Sequence, residues 1–109
     1  MQVAGLPVDL VVDLGDAEPT AAAEVALLRI AQEALTNVVK HAGATGERVR
    51  LTADEHDLEL VVEDDGRGRA GATDGIGTSS MRERAVEIGG DVHIGACGPG
   101  TRVRVRVPR

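Results

Sequence analysis

Residues 101–107 read TRVRVRV, three valines (Val103, Val105, Val107) alternating with three arginines (Arg102, Arg104, Arg106). Successive side chains of a β-strand point to opposite faces, so this segment has one face that seeks a dry layer and one that stays in water. The same period recurs in LPVDLVVDL (6–14), where Val8, Leu10, Val12 and Leu14 oppose Asp9 and Asp13, and in RVRLTA (48–53) and LELVVED (58–64). Strands of this kind make a sheet that is apolar on one side and takes its cover on that side alone. The arginine row reads as the solvated face or a protected edge, with a docking surface as the lesser alternative.

Helical signals supply the cover. Thr20 is an N-cap candidate for a helix running to about Ala42, and GATGE then breaks the chain. The strands at 48–53 and 58–64 flank a polar turn and read as a hairpin. GRGRAGATDGIG (66–77) holds five glycines and no periodicity, which predicts a loop. SSMRERAVEI (79–88) is a short helix stopped by Gly89 and Gly90, and DVHIGA and TRVRVRV are two final strands joined by CGPG. The expected fold is a two-layer α/β sandwich with a mixed, mainly antiparallel sheet and helices on one face. At 109 residues it forms a single domain, 1–109, around one core. On the long helix, Leu28, Ala31, Leu35, Val38, Val39 and Ala42 are the expected core face.

Charge and composition narrow the function. The net charge is −6 and Phe, Tyr and Trp are absent, so neither the cation cluster nor the stacking rings of a nucleic-acid surface are present. No apolar run approaches the roughly 20 residues that cross a bilayer, and no charged-then-apolar leader opens the chain, so no direct membrane contact is expected. The single Cys97 excludes an internal disulfide, fits a reducing compartment and reads as an aliphatic-sized filler.

Several residues carry chemistry. Within RIAQEALTNVVKHA (29–42), Glu33, Asn37 and His41 recur at four-residue steps beside Ala26, Ile30 and Ala34. Polar groups mixed with an isoleucine suit a half-covered cleft, although an ordinary amphipathic helix with accidental spacing gives the same string. In VVEDDGRG, strand parity carries the row Leu58, Leu60, Val62 on to Asp64. A carboxylate turned into the dry layer needs hydrogen-bond donors, and a ligand amino group is one source. Gly66 and Gly68 after it allow backbone to approach a flat ligand. Gly75, Gly77 and the start of the second helix offer backbone N–H groups for phosphate. Lys40 adds a cation, and Asn37 a neutral oxygen for Mg²⁺, which keeps most of its waters and shares phosphate oxygens. Together these point to a nucleotide.

Other motifs fall away. GRGRAG (66–71) fits the dinucleotide string but does not open a helix, and neither a phosphate-loop lysine motif nor an H-R-D set is present. His41, His56 and His93 lack the spacing of a zinc site.

The motifs, in order, resemble the catalytic ATP-binding domain of two-component sensor histidine kinases, of the branch paired with helix-turn-helix response regulators. RIAQEALTNVVKHA resembles the N box, DDGRG the first glycine box, GIGTSSMRERAVEIGG the second, and GPGTRVRVRVP the closing G-x-G-T segment. The resemblance covers nearly the whole chain and implies the Bergerat ATP-binding fold shared with gyrase B, Hsp90 and MutL. It implies that Asp64 bonds the adenine amine, that Asn37 ligates Mg²⁺ and that Lys40 and His41 lie near the phosphates. Glu33 would hold a water or assist proton transfer, Gly66, Gly68, Gly75 and Gly77 would shape pocket and lid, and Thr101 would lie beneath the base. Leu28 replaces an aromatic usual in this family, and the lid is short.

The resemblance also implies partners. No phosphoacceptor hairpin is recognisable, so the chain is expected to work on a histidine of a separate dimerisation domain, and through it on a response regulator. A cytoplasmic location is expected, alone or as the cytoplasmic part of a membrane-bound sensor. An anti-sigma-factor-type serine kinase of the same fold and a non-catalytic ATP-gated interaction module are the alternatives.

Overall fold

The structure, a computed structural model, describes residues 2–3, 6–37, 46–65, 76–97 and 100–109. The expected continuation of the first helix over 38–42, residues 66–75 of the loop expected over 66–77 and the turn at 98–99 lie outside the described residues; Ile76 and Gly77, the end of that loop, are instead helical, so the second helix starts three residues earlier than expected. The elements are β1 (Gln2–Val3), β2 (Leu6–Asp13), α1 (Ala21–Asn37), β3 (Glu47–Ala53), β4 (Asp57–Asp64), α2 (Ile76–Glu87), β5 (Asp91–Cys97) and β6 (Gly100–Pro108). The strands form one sheet in the order β1-β2-β3-β4-β6-β5. Among the described strands, β2 and β3 pair in parallel, with α1 between them in the chain, and the other neighbours are antiparallel.

One face is covered. α1 lies on β4 and β6, α2 on β5 and β6, and the two helices touch. The rows Leu58, Leu60, Val62 of β4 and Val103, Val105, Val107 of β6 face each other through their register and are all buried. Ile30 and Leu27 descend on them from α1, and Met81 and Ala85 from α2. Each large side chain buried here contributes about 1.5–3 kcal/mol.

Local signals set the ends of the helices. Thr20 Oγ1 accepts a 3.1 Å hydrogen bond from the Ala23 N–H, the N-cap expected of it. Past α2, Gly89 has φ +80° and its N–H reaches the Val86 carbonyl, while the Gly90 N–H reaches that of Ala85. A side chain at 89 would strain this left-handed turn.

The helix face differs from the expectation. Leu28 is 60% exposed, whereas Ile30, Ala34 and Ala23 are at 2% or less. The face that joins the core is the stripe Ala23, Leu27, Ile30, Ala34; Ala31 and Leu35 are only partly buried at its margin. Small side chains let the helix axis come close to the sheet, so this stripe outcompetes the bulkier one. β2 departs too. Val8 is buried, but Leu10 and Val12 are 48% and 56% exposed, because the helices sit over β4, β6 and β5 and leave the β2 side of the layer short of cover.

The opposite face is an ion-pair lattice. Arg102 pairs with Glu63 at 3.2 Å and Arg104 with Glu59 at 2.9 Å, and Arg106 bridges Asp54, Asp57 and Glu59 at 2.6, 3.2 and 2.8 Å. Asp54 also accepts the His56 and Asp57 N–H groups in the β3–β4 turn. Those two bonds first, and Arg106 next, hold its carboxyl down at about 2. The arginine row is therefore the solvated face of the sheet, paired within itself.

Ile30→Ala is expected to lower stability by about 3 kcal/mol and Leu28→Ala by less than about 0.5 kcal/mol, measured from denaturant midpoints. The reverse order would return the core face to the Leu28 side.

Candidate functional site at the end of β4

Strand β4 ends in Asp64, which continues the buried row Leu58, Leu60, Val62 and is itself 8% exposed. Two neighbours frame it. On β6, Gly100 packs so closely that a Cβ there would collide with the Asp64 carbonyl and stand 3.0 Å from Oδ1, so the approach requires glycine. On β3, Glu47 is in register with Asp64. The next residue, Asp65, turns out of the sheet and accepts the Gly46 N–H through Oδ1 at 3.1 Å, which ties the start of β3 to the end of β4. A cavity of about 230 Å³ opens here, lined by Asp9, Gly46, Glu47, Arg48, Glu63, Asp64 and Asp65.

The other expected site residues are spread over β6, α1 and α2. Thr101 follows Gly100 on β6 and is half-buried. Glu33 is half-buried on α1, which lies on β4 and β6. Asn37 is the last described residue of α1, and Gly77 lies in the first turn of α2; their backbones are placed, while the Asn37 side chain lies outside the description. Lys40, His41, Gly66, Gly68 and Gly75 lie outside the described residues. His56 and His93 are exposed, in the β3–β4 turn and on the open face.

Glu47 is the residue that the motif reading missed. It is 6% exposed, and among the described residues neither carboxyl oxygen has a hydrogen-bond partner. Burial first, and the neighbouring Asp64 charge second, push its carboxyl up to about 8. It is therefore neutral at pH 7. The signal was present in the sequence, since Glu47 shares the parity of Val49 and Leu51 on β3. Reading GATGE as a plain break concealed it.

The family model for histidine kinase-, DNA gyrase B-, and HSP90-like ATPases matches residues 22–109. Signal transduction histidine-protein kinase/phosphatase UhpB of Salmonella typhimurium is 41% identical over 87 residues, 78% of this chain and 17% of its own length. Sensor histidine kinase LiaS of Bacillus subtilis is 39% identical over 106 residues, 94% of this chain and 29% of its own. The blue-light activated histidine kinase of Erythrobacter litoralis EL346 superposes with a TM-score of 0.73 at 26% identity, covering 94% of this chain and 35% of that one. The chain belongs to the histidine kinase-, DNA gyrase B- and HSP90-like ATPase family, as an ATP-binding domain of the type carried by sensor histidine kinases. It spans less than a third of the length of these two kinase sequences. Among the described residues, no helix is long and apolar enough to cross a membrane.

The Glu47 carboxyl makes stability depend on pH. An unfolded glutamate titrates near 4.5 and the folded one at about 8, so the folded chain keeps a proton that the unfolded chain has released. Stability contributed at this position therefore falls as pH rises from about 4.5 to about 8 and levels off above, by an amount of order a few kcal/mol. Glu47→Gln is expected to remove that slope. Superimposable stability–pH curves for wild type and variant, from denaturant titrations, would exclude it.

Proposed function

We propose that the chain binds Mg-ATP at the β4 corner and passes the γ-phosphate to a histidine on a separate dimerisation domain, as the catalytic part of a two-component sensor kinase. A helix-turn-helix response regulator would then take the phosphoryl group from that histidine. The observation that carries the reading is Asp64, a carboxyl buried at the open end of the sheet–helix layer, with glycine backbone drawn against it. A carboxylate there offers acceptors only, which suits the exocyclic amine of adenine, and Thr101 provides a hydroxyl on the neighbouring strand.

The rest of the substrate follows from position. The first turn of α2, at Gly77, presents backbone N–H groups and a positive helix end toward phosphates, with Gly66, Gly68 and Gly75 supplying the loop before it. Lys40 and His41 would add charge at the phosphates, and Glu33 would orient a water or take part in proton transfer. Among the described residues, no group of three or more His, Cys, Asp or Glu could hold a metal. Asn37 supplies one neutral oxygen, the kind of sparse protein ligation that Mg²⁺ accepts when phosphate and water complete its shell. Magnesium bound there would neutralise phosphate charge. The work left to the protein is positioning, because phosphoryl transfer gains most from alignment and electrostatic stabilisation.

The direct test adds γ-labelled ATP to this chain with a dimerisation hairpin of a sensor kinase supplied in trans. Acid-labile, base-stable label on the hairpin is the expected outcome. Label on a serine would identify a serine kinase instead, and tight ATP binding without any label would identify an interaction module.

Asp64→Asn is expected to abolish the rise in melting temperature that ATP confers on the wild type, because the amide no longer offers two equivalent acceptors. An equal rise in both proteins would remove Asp64 from the base site.

A further inference from the structure

The base site contains a second acid that the reading above does not use. Glu47 and Asp64 stand opposite each other on β3 and β4, both on the covered face, and both reach the cavity that opens across the strand ends, where Asp9, Arg48 and Glu63 line its other side. Burying a carboxylic acid with neither oxygen bonded costs free energy, because its hydrogen bonds to water are lost and not replaced. Valine at this position would continue the apolar row of Val8 on β2 and Val49 on β3, both buried. A polar group held dry beside a ligand site is satisfied when the ligand, or a water trapped with it, brings its partner.

We propose that the buried, unpartnered Glu47 carboxyl is a second recognition group of this pocket, standing beside Asp64 and so selecting a purine whose amino group adjoins an unprotonated ring nitrogen. Protonated, it offers an O–H donor to that nitrogen. The assignment rests on the ATP reading and deepens it. Adenine presents that pairing along its N6–N1 edge, an amine donor next to a ring acceptor. Guanine presents the opposite order there, a carbonyl next to an N–H, and would leave both acids facing groups of the wrong kind. Glu47 thus contributes to specificity as well as to affinity.

Ionisation of Glu47 removes the donor and places a second negative charge beside Asp64. Among the described residues, Asp64 is the charged group that acts on it; β2 presents Val8, and its own strand continues with Val49. Binding should therefore weaken in the alkaline range, where the phosphates of ATP have finished titrating.

The test pairs residue with ligand atom. Dissociation constants are measured by calorimetry for Mg-ATP and for its 1-deaza analogue, in which C–H replaces ring N1, with wild type, Glu47→Val and Glu47→Gln. Wild type is expected to prefer ATP by about tenfold, the discrimination of one hydrogen bond, and Glu47→Val to bind both alike. Above pH 8, wild-type affinity should fall about tenfold per pH unit while that of Glu47→Gln stays level, since the amide cannot ionise. An undiminished preference in Glu47→Val, or the same alkaline fall in Glu47→Gln, overturns the proposal. Failure of wild type to bind either nucleotide at any pH would instead overturn the ATP reading on which it stands. Glu47→Gln preserves shape and polarity, so a folding defect in the valine variant would leave the pH comparison decisive.

Discussion

A carboxyl at the rim of a dry layer has to be held there by the rest of the fold, because water would otherwise claim it. At Asp64 the holding is done by backbone. The β3–β4 hairpin extends the buried row to the last residue of the strand, Gly100 closes against the Asp64 carbonyl, and Asp65 anchors the exit by accepting the Gly46 N–H. None of these contacts makes Asp64 inert. They fix where its side chain begins, at the end of the buried row.

The two faces of the sheet divide the labour. On the open face, three arginines of β6 and four acids of β4 and the β3–β4 turn satisfy one another in water, each contact contributing little but together keeping that face wet. On the covered face, aliphatic rows exclude water and raise the cost of every charge placed there. Glu47 and Asp64 are the two described acids buried on it, side by side at its end. Their proximity gives the corner its distinct electrostatics, with one of the pair kept protonated by its surroundings and its neighbour.

Much of this was legible in the sequence. Period-two alternation placed five of the strands within a residue or so and assigned the covered rows of β4 and β6 correctly, because burial on one side leaves a binary pattern. Thr20 and Gly89 marked helix ends through local chemistry that does not depend on the fold. The α1 face read from the helical period was rotated: Ala31 and Leu35 reach only the margin of the core, while close helix–sheet approach favours Ala23 and Ala34 and turns Leu28 outward. The exposure of Leu10 and Val12 was not legible either, since it depends on how far across the sheet the helices reach. Glu47 was legible by parity, and a loop assignment one residue too long hid it. Gly100 could be named from its motif, but its near contact with the Asp64 backbone is a property of the assembled sheet.

The position of β6 has a kinetic side. This strand is late in the chain yet lies between β4 and β5, and its pairs reach far back; Arg106 and Glu59, for instance, are separated by 47 positions. Until β6 inserts, β4 and β5 have unpaired edges and the helices have an incomplete floor. Folding must therefore close a long loop before the sheet becomes continuous, a topology that slows the search and leaves greasy edges open to other chains while it lasts. The same late insertion brings Gly100 against Asp64, so the corner and the core are completed by one event.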